Sequence, residues 1–402
     1  MLWASILAAA AVFTPASRDG AAIQKAIDAA NAAGGGVVRL ERGVYESGTL
    51  YLKSGVELNV PEGAVLRGGT RPEDYDDVVD ARIRKHPERS DKVFIACTFQ
   101  TNVTVTGKGV IDGRGPCFYD TDVPASEPFY RKPPHPRPRM LQFVGCRDVR
   151  FEDITLKDSP GWTCWVRMGE NVTAERVKIL ADQRMINNDG FHIDGCRHVR
   201  IRNCTFRTGD DCVVMRAIRS PDGESGLCED MLVEDCDMST SCSGVRLGCP
   251  SDGTIRKGVF RRLRIRGNGG ILSGHPTGYL QEGSVGGFRM EDILFEDCDV
   301  ESKWEGIAYY VEPGITLGAF GNTVFRNLRV KSGQRLMLRG NGNTWLENLR
   351  FENVKLECGW QDPMDMKAFR NVEFANCSFS SGSGEKEPPA VNECKGGWEI
   401  LP

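Results

Sequence analysis

A chain of 402 residues exceeds the usual size of one compact core, which leaves two domains or one elongated repeat. A formal charge of −4 and the lack of any long basic run exclude nucleic acid as a partner. The 46 glycines and 20 prolines require many turns. In chain order, the apolar stretch from Leu2 to Phe13 comes first; it is too short to span a bilayer. Followed by small residues, it reads as the apolar part of an export signal. The expectation is a leader over 1–17, a single domain over 18–402, and a secreted or periplasmic protein with no membrane span. Next, "AAIQKAIDAANAA" at 21–33 predicts an amphipathic helix ended by Gly34.

Short strand phrases then recur: "VRFEDI" from Val149, "VTAERV" from Val172, "VRIRNC" from Val199 and "MLVEDC" from Met231. They continue as "ILFEDC" from Ile293, "TVFRNL" from Thr323, "LRFENV" from Leu349 and "VEFANC" from Val372, with a degenerate copy, "GVFRRL", from Gly258. Positions one, three and six are mostly apolar and the others mostly polar, which marks a short strand entering a bend. A repeat of this length built from strands predicts an all-β, single-domain, right-handed parallel β-helix of some ten rungs over about residues 35–380. The helix at 21–33 is expected to cap its N-terminal end, where an open sheet would invite self-association. Stacking places Cys204, Cys236, Cys298 and Cys377 in one internal column, where they read as small buried hydrophobes rather than disulfides. The chain has 15 cysteines and no C-x-x-C pair, which argues against a zinc ribbon or a thioredoxin-like site. The polar tail from Ser380 is expected to be loose.

Two acidic clusters interrupt the strands: "INNDGFHIDGC" at 186–196, with Asp189, His192 and Asp194, and "GDDC", with Asp210 and Asp211. The step from Asp189 to Asp210 is about one rung, so the two are expected to stack about 4.8 Å apart. Crowded carboxylates suit glycoside hydrolysis, because mutual repulsion raises one proton affinity while the others stay ionised. Inverting hydrolysis needs one protonated carboxyl on the leaving oxygen and one carboxylate holding water. A regular strand would point Asp210 and Asp211 to opposite faces. Joint service therefore needs a bend, which Gly209 is expected to permit. The alternative is a set of solvated turn carboxylates.

The chain resembles glycoside hydrolase family 28, the polygalacturonase-like enzymes, from about Ala21 to Ile293. The likeness rests on "IDGRG" at 111–115, "RPRMLQFVGC" at 137–146, "DSPGWTCW" at 158–165, Asn187-Asn188-Asp189 and Asp210-Asp211. It implies that Asp210 is the general acid and that Asp189 and Asp211 activate water. Two of the family's landmarks are altered. Ser243, in "CSGVRLG", stands where a histidine belongs, and Arg246 takes the place of a serine. The Arg-x-Lys that grips a uronate is replaced by Ile271, Leu272 and Ser273, which weakens the case for galacturonic acid at the cleavage point. Arg264-Ile265-Arg266 belongs to the preceding strand phrase and reads as structural.

The expected site therefore comprises catalytic Asp189, Asp210 and Asp211, with Asn187, His192, Ser243 and Arg246 as substrate-binding residues. His192 is equally open to a place on a solvated strand face. Trp162 and Trp165 are candidates for sugar stacking or for core packing. The expected function is an inverting glycoside hydrolase acting on a pectin-like plant or algal wall polysaccharide, with exo action suggested by the long step between Asp211 and Ser243. The expected partner is the polysaccharide alone, bound by a monomer with no cofactor and no metal. Two other readings stay open. One is a β-helix polysaccharide lyase with calcium on Asp189, Asp194 and Asp210; the other is a non-catalytic glycan-binding β-helix.

Overall fold

The computed structural model describes residues 10–79, 90–132, 134–220, 226–248, 250–277, 287–381 and 384–386. Nearly all strand pairings are parallel, and each strand pairs with its counterpart one repeat away, which makes a parallel β-helix. One 13-stranded sheet forms the first face. A 22-stranded sheet folds over the other two faces. Those faces join where Asp237–Leu247 and Arg264–His275 run through the corner between them. The first face carries thirteen strands rather than ten, because Val12–Phe13, Gly36–Arg39, Val56–Asn59 and Thr101–Thr106 lack the phrase found later.

The phrases stack in register from start to start: Val149, Val172, Val199, Met231, Gly258, Ile293, Thr323, Leu349 and Val372. The bend at the end of each phrase has a local cause. Position five, from Asp153 and Arg176 through Asn353 and Asn376, takes φ between 51° and 61° in every phrase. Most of these residues are Asn or Asp, the non-glycine residues that best tolerate the left-handed region. Their side chains also bond from rung to rung, as Asn353 does to Asn327 and Asn376 to Asn353.

Position three points inward and stacks Phe260, Phe295, Phe325, Phe351 and Phe374, with ring centroids 4.7–5.5 Å apart. Cys204 and Cys236 are buried neighbours in the adjacent internal column, as expected. One hydrophobic cluster runs from Ile23 to Phe379.

The helix spans Gly20–Ala32, capped by the Asp19 carboxylate, which accepts from the Ala22 N–H at 3.0 Å. Ile23, Ala26, Ile27 and Ala30 are buried, and the helix packs against strands of the first rungs. Of the expected leader, residues 1–9 lie outside the described residues, whereas Val12–Phe13 pairs with Val37–Val38. The expected loose tail is corrected in part: Ser378–Ser381 continues the coil and pairs antiparallel with Gly384–Lys386. Among the described residues no helix is long and apolar enough to cross a membrane.

Candidate active site

The acidic clusters lie on the third face and at its corner with the second. Third-face strands Cys164–Arg167, Phe191–Asp194 and Val213–Arg216 pair in register. Cys164, Val166, Phe191, Ile193, Val213 and Met215 enter the hydrophobic cluster, so the alternate residues point outward. Those outward residues, Trp165, Arg167, His192, Asp194, Val214 and Arg216, are buried all the same. Connecting segments cover them: the Val78 carbonyl accepts from Gln142, and Ile218 and Ser220 accept from Arg167.

Asp189 does not stack on Asp210. The Gly190 N–H donates to the Asp211 carbonyl, the Thr163 N–H donates to the Asp189 carbonyl, and the Cys212 N–H donates to the Ser243 carbonyl. The ladder therefore runs Trp162, Asp189, Asp211, Ser243, and Asp210 sits beside it at the corner. The register of Phe191 with Val213 and of Val213 with Val245 sets this pairing one residue beyond Asp210. Gly209 serves a close approach rather than a special backbone angle, since a Cβ there would lie 1.8 Å from the Met185 carbonyl oxygen. Its N–H donates to the Asn188 side chain at 2.6 Å.

Each carboxylate is held differently. Asp210 is partly buried; its Oδ2 accepts from the Asn187 N–H at 3.0 Å and its Oδ1 from the Asp211 N–H at 2.9 Å. Burial, then the neighbouring Asp211 charge, pushes its carboxyl up to about 6. Asp211 is buried; its Oδ1 accepts from the Ser243 N–H at 3.1 Å, and its Oδ2 lies 3.2 Å from Arg246 Nη1. Asp189 is buried with Oδ2 3.2 Å from His192 Nδ1. A carboxylate oxygen of Asp210, one of Asp211 and the Cys242 Sγ all lie within 4.8 Å of one another.

The other expected residues fall into two groups. Asn187, at φ 58°, presents its N–H to Asp210 and its Oδ1 to Arg137 Nη2 at 2.8 Å. Ser243 serves through its backbone, its side chain being buried. Arg246 is held by Asp211 and pairs on the next rung with Leu272, the middle residue of the altered Arg-x-Lys, whose two cation positions hold Ile271 and Ser273. His192 is not on a solvated face: it is buried beneath Trp162, with ring centroids 4.1 Å apart. Trp162 and Trp165 are both 2% exposed, so neither is an open sugar platform as the chain stands. Arg139 lies over both indoles and Arg216 over Trp162. The calcium set of the lyase reading does not assemble: Asp194 is bound to Arg167 at 2.9 Å, to Arg216 at 3.5 Å and to the Ile218 N–H at 3.0 Å.

Three residues of the site escape sequence reasoning. Arg137 is buried and also donates to the Ile186 and Pro160 carbonyls, bracing the turn that carries Asn187. Asn188 is fully buried and fixes Gly209. Cys242 reaches both carboxylates of the pair. Arg137 opens a landmark already noticed, but nothing in its spacing shows that its side chain turns towards Asn187. Cys242 stands inside "CSGVRLG", and nothing in the sequence sets it apart from the other cysteines. Chemically, Asp210 and Asp211 with Cys242 could approach a cation. A thiol is a poor partner for the hard, oxygen-seeking ions, and Arg246 already brings a positive charge to Asp211.

Against known proteins, the model of "Glycosyl hydrolases family 28" matches residues 78–224, a span that includes Asp189, Asp210 and Asp211. The altered landmarks at 243–246 and 271–273 lie beyond it. A "Probable polygalacturonase" of Vitis vinifera is 32% identical over 253 residues, covering 52% of this chain and 50% of that protein. An "Endo-polygalacturonase" of Pectobacterium carotovorum subsp. carotovorum is 28% identical over 358 residues, covering 84% of this chain and 85% of the relative. The chain thus spans half the length of the first relative and most of the second. In three dimensions, the family 28 exopolygalacturonase of Yersinia enterocolitica superposes with a TM-score of 0.72 at 17% identity, over 94% of this chain and 80% of that one, which speaks for the fold. With the ordered landmarks, the parallel coil and the assembled aspartates, these matches support glycoside hydrolase family 28 as the family this chain is similar to.

Proposed function

We propose that this chain hydrolyses a pectin-like cell-wall polysaccharide, outside the cytoplasm and as a monomer, with inversion at the anomeric carbon. The observation that carries the reading is the unequal treatment of two adjacent carboxyls. Asp210 is pushed up to about 6, while Asp211 faces a guanidinium and a backbone N–H. The first can hold a proton to give away, and the second can take one. Asp210 protonates the glycosidic oxygen as that bond breaks. Asp211, with Asp189, accepts a proton from the water that attacks the anomeric carbon. Asn187 and Arg137 hold the acid in place, and Ser243 and Arg246 hold the base.

Two finer features belong to the same reading. The insertion after Asp211 begins by folding Ile218 and Ser220 over Arg167 on the outward side of the third face; residues 221–225 within it lie outside the described residues. That cover favours entry of a chain end, hence exo action. With Arg246 committed to Asp211 and Ile271 and Ser273 at the two altered cation positions, the lost uronate grip has no evident replacement among the described residues, so homogalacturonan should be a poor substrate.

One observation favours a second stereochemistry. Oxygens of Asp210 and Asp211 approach within 4.8 Å, nearer the roughly 5–5.5 Å of retaining enzymes than the roughly 6.5–9.5 Å of inverting ones. Proton NMR of the first-formed sugar decides it. Inversion gives the opposite anomer to the bond cleaved; the same anomer would make Asp211 a nucleophile. The substrates are set by incubating the protein with homogalacturonan, branched pectins and algal glycans, with products weighed by mass spectrometry. Rapid random cleavage of homogalacturonan would overturn both the exo and the specificity readings.

A further inference from the structure

Beyond the catalytic rungs, the corner that carries Asp210 continues along the coil as an unbroken ladder. Asp210 lies opposite Cys242 by the register on either side, Thr208 with Thr240 and Val213 with Val245. The Asn268 side chain donates to the Ser241 carbonyl, the Trp304 N–H to the Asn268 carbonyl, and the Gln334 N–H to the Trp304 carbonyl. Trp360 follows on the next rung, after Gly359, whose N–H donates to the Ser332 carbonyl. Trp304 is thus three rungs from Asp210 and Trp360 five, about 14 and about 24 Å at the usual strand spacing.

These two indoles are 46% and 48% exposed, in contrast to the buried Trp162 and Trp165. A single exposed aromatic needs no explanation. Two on one corner, on alternate rungs and in line with the acid, form a track. Beside them, the second face holds a shallow groove of about 470 Å³ on the same four rungs. Its lining includes Arg264, Arg266, Arg329, Lys331 and Lys355 against three acidic side chains, so it is cationic on balance although the whole chain is anionic. Among the described residues Lys331 has no ion-pair partner, and Arg264 and Arg266 each reach Asp237 at no closer than 3.7 Å while also acting on the Asp299 carboxylate.

We infer that the corner from Asn268 to Trp360, with the cationic groove beside it, is a binding track for an acidic polysaccharide chain extending away from the cleavage point. The flat indole faces suit the apolar faces of sugar rings, and the cations suit carboxylates spaced along the chain. The rung spacing is comparable to the length of one sugar along an extended glycan, so successive rungs can meet successive residues. This deepens the proposed function: the substrate carries acid groups at a distance, while the sugar at the bond cleaved is held without a cationic clamp.

Affinity electrophoresis of the Asp210→Asn protein through gels containing polygalacturonate measures binding without turnover. The expected result is retardation, with the apparent Kd raised about tenfold by Trp304→Ala combined with Trp360→Ala. Trp304→Tyr with Trp360→Tyr, which keep an aromatic face, should restore most of it. Arg266→Ala with Lys331→Glu should weaken binding at low salt and matter less at high salt. Arg147→Ala, an exposed cation on the first face, should change nothing. Equal retardation of all variants, an equal loss with Arg147→Ala, or equal retardation by dextran would overturn the track. Retardation in a protein whose wild type cleaves no glycan would uphold the track and remove the catalytic reading alone. Hydrolysis with no dependence on these residues would do the reverse.

Discussion

The first and third faces of the coil are made of the same strands-and-turns material, yet they treat charge in opposite ways. On the first face only the inward side is dry. Its outward arginines, such as Arg150, Arg326 and Arg350, pair with glutamates in water. On the third face both sides are dry over the middle rungs, and Arg167, Asp194 and Arg216 are each about 1% exposed. The difference comes from what lies on top: solvent in one case, connecting segments in the other. Removing water from a strand's outward side lets a neighbouring charge move a carboxyl such as Asp210, and it makes each unpaired charge costly.

The sharpest break of that contrast is Asp194→Ala. It would leave Arg167 and Arg216 buried without their shared carboxylate and should cost about 3–5 kcal/mol, read from urea unfolding. Asp210→Asn comes next, with hydrolysis lowered at least about a hundredfold. The same variant should be more stable than the wild type by about 1–2 kcal/mol at pH 7. The sign follows from the raised value: the folded state holds the Asp210 proton more tightly than the unfolded state, so stability is lost as pH rises from about 4 through about 6. The gain of Asp210→Asn should therefore vanish near pH 4, as thermal scans at the two pH values would show. For the wild type, kcat/KM should fall about tenfold per pH unit above about 6 as the acid loses its proton. The smallest effect belongs to the first face: Arg350→Ala, beside Glu352 in water, should cost at most about 1 kcal/mol. A loss there equal to that of Asp194→Ala would erase the distinction between the faces.

The same contrast explains what could be read from the chain beforehand. First-face phrases were legible because one dry side and one wet side impose alternation, and the Asn or Asp at the bend is a local signal. All nine phrase starts fall in register. Third-face strands such as "CWVR" and "FHID" carry no alternation of burial, so their pairing, and the partnership of Asp189 with Asp211 rather than Asp210, lay beyond pattern reading. The burial of Trp162, Trp165 and His192 depends on segments distant in sequence, which no local spacing encodes. Arg137 and Cys242 were hidden for the same reason: their roles come from where the corner turns.

The column of stacked rings from Phe260 to Phe374 couples each rung to its two neighbours and to nothing farther away. Such a molecule unravels like a chain of nearest-neighbour links, from its ends inward. Asp189, Asp210 and Ser243 follow the sixth, seventh and eighth of thirteen first-face strands, Glu170–Glu175, Arg197–Arg202 and Leu227–Glu234. Fraying from either end must therefore dissolve several interfaces before it reaches the acid. Losing the outermost rungs, by truncation or heat, would shorten the coil while its centre still held three carboxyls in place.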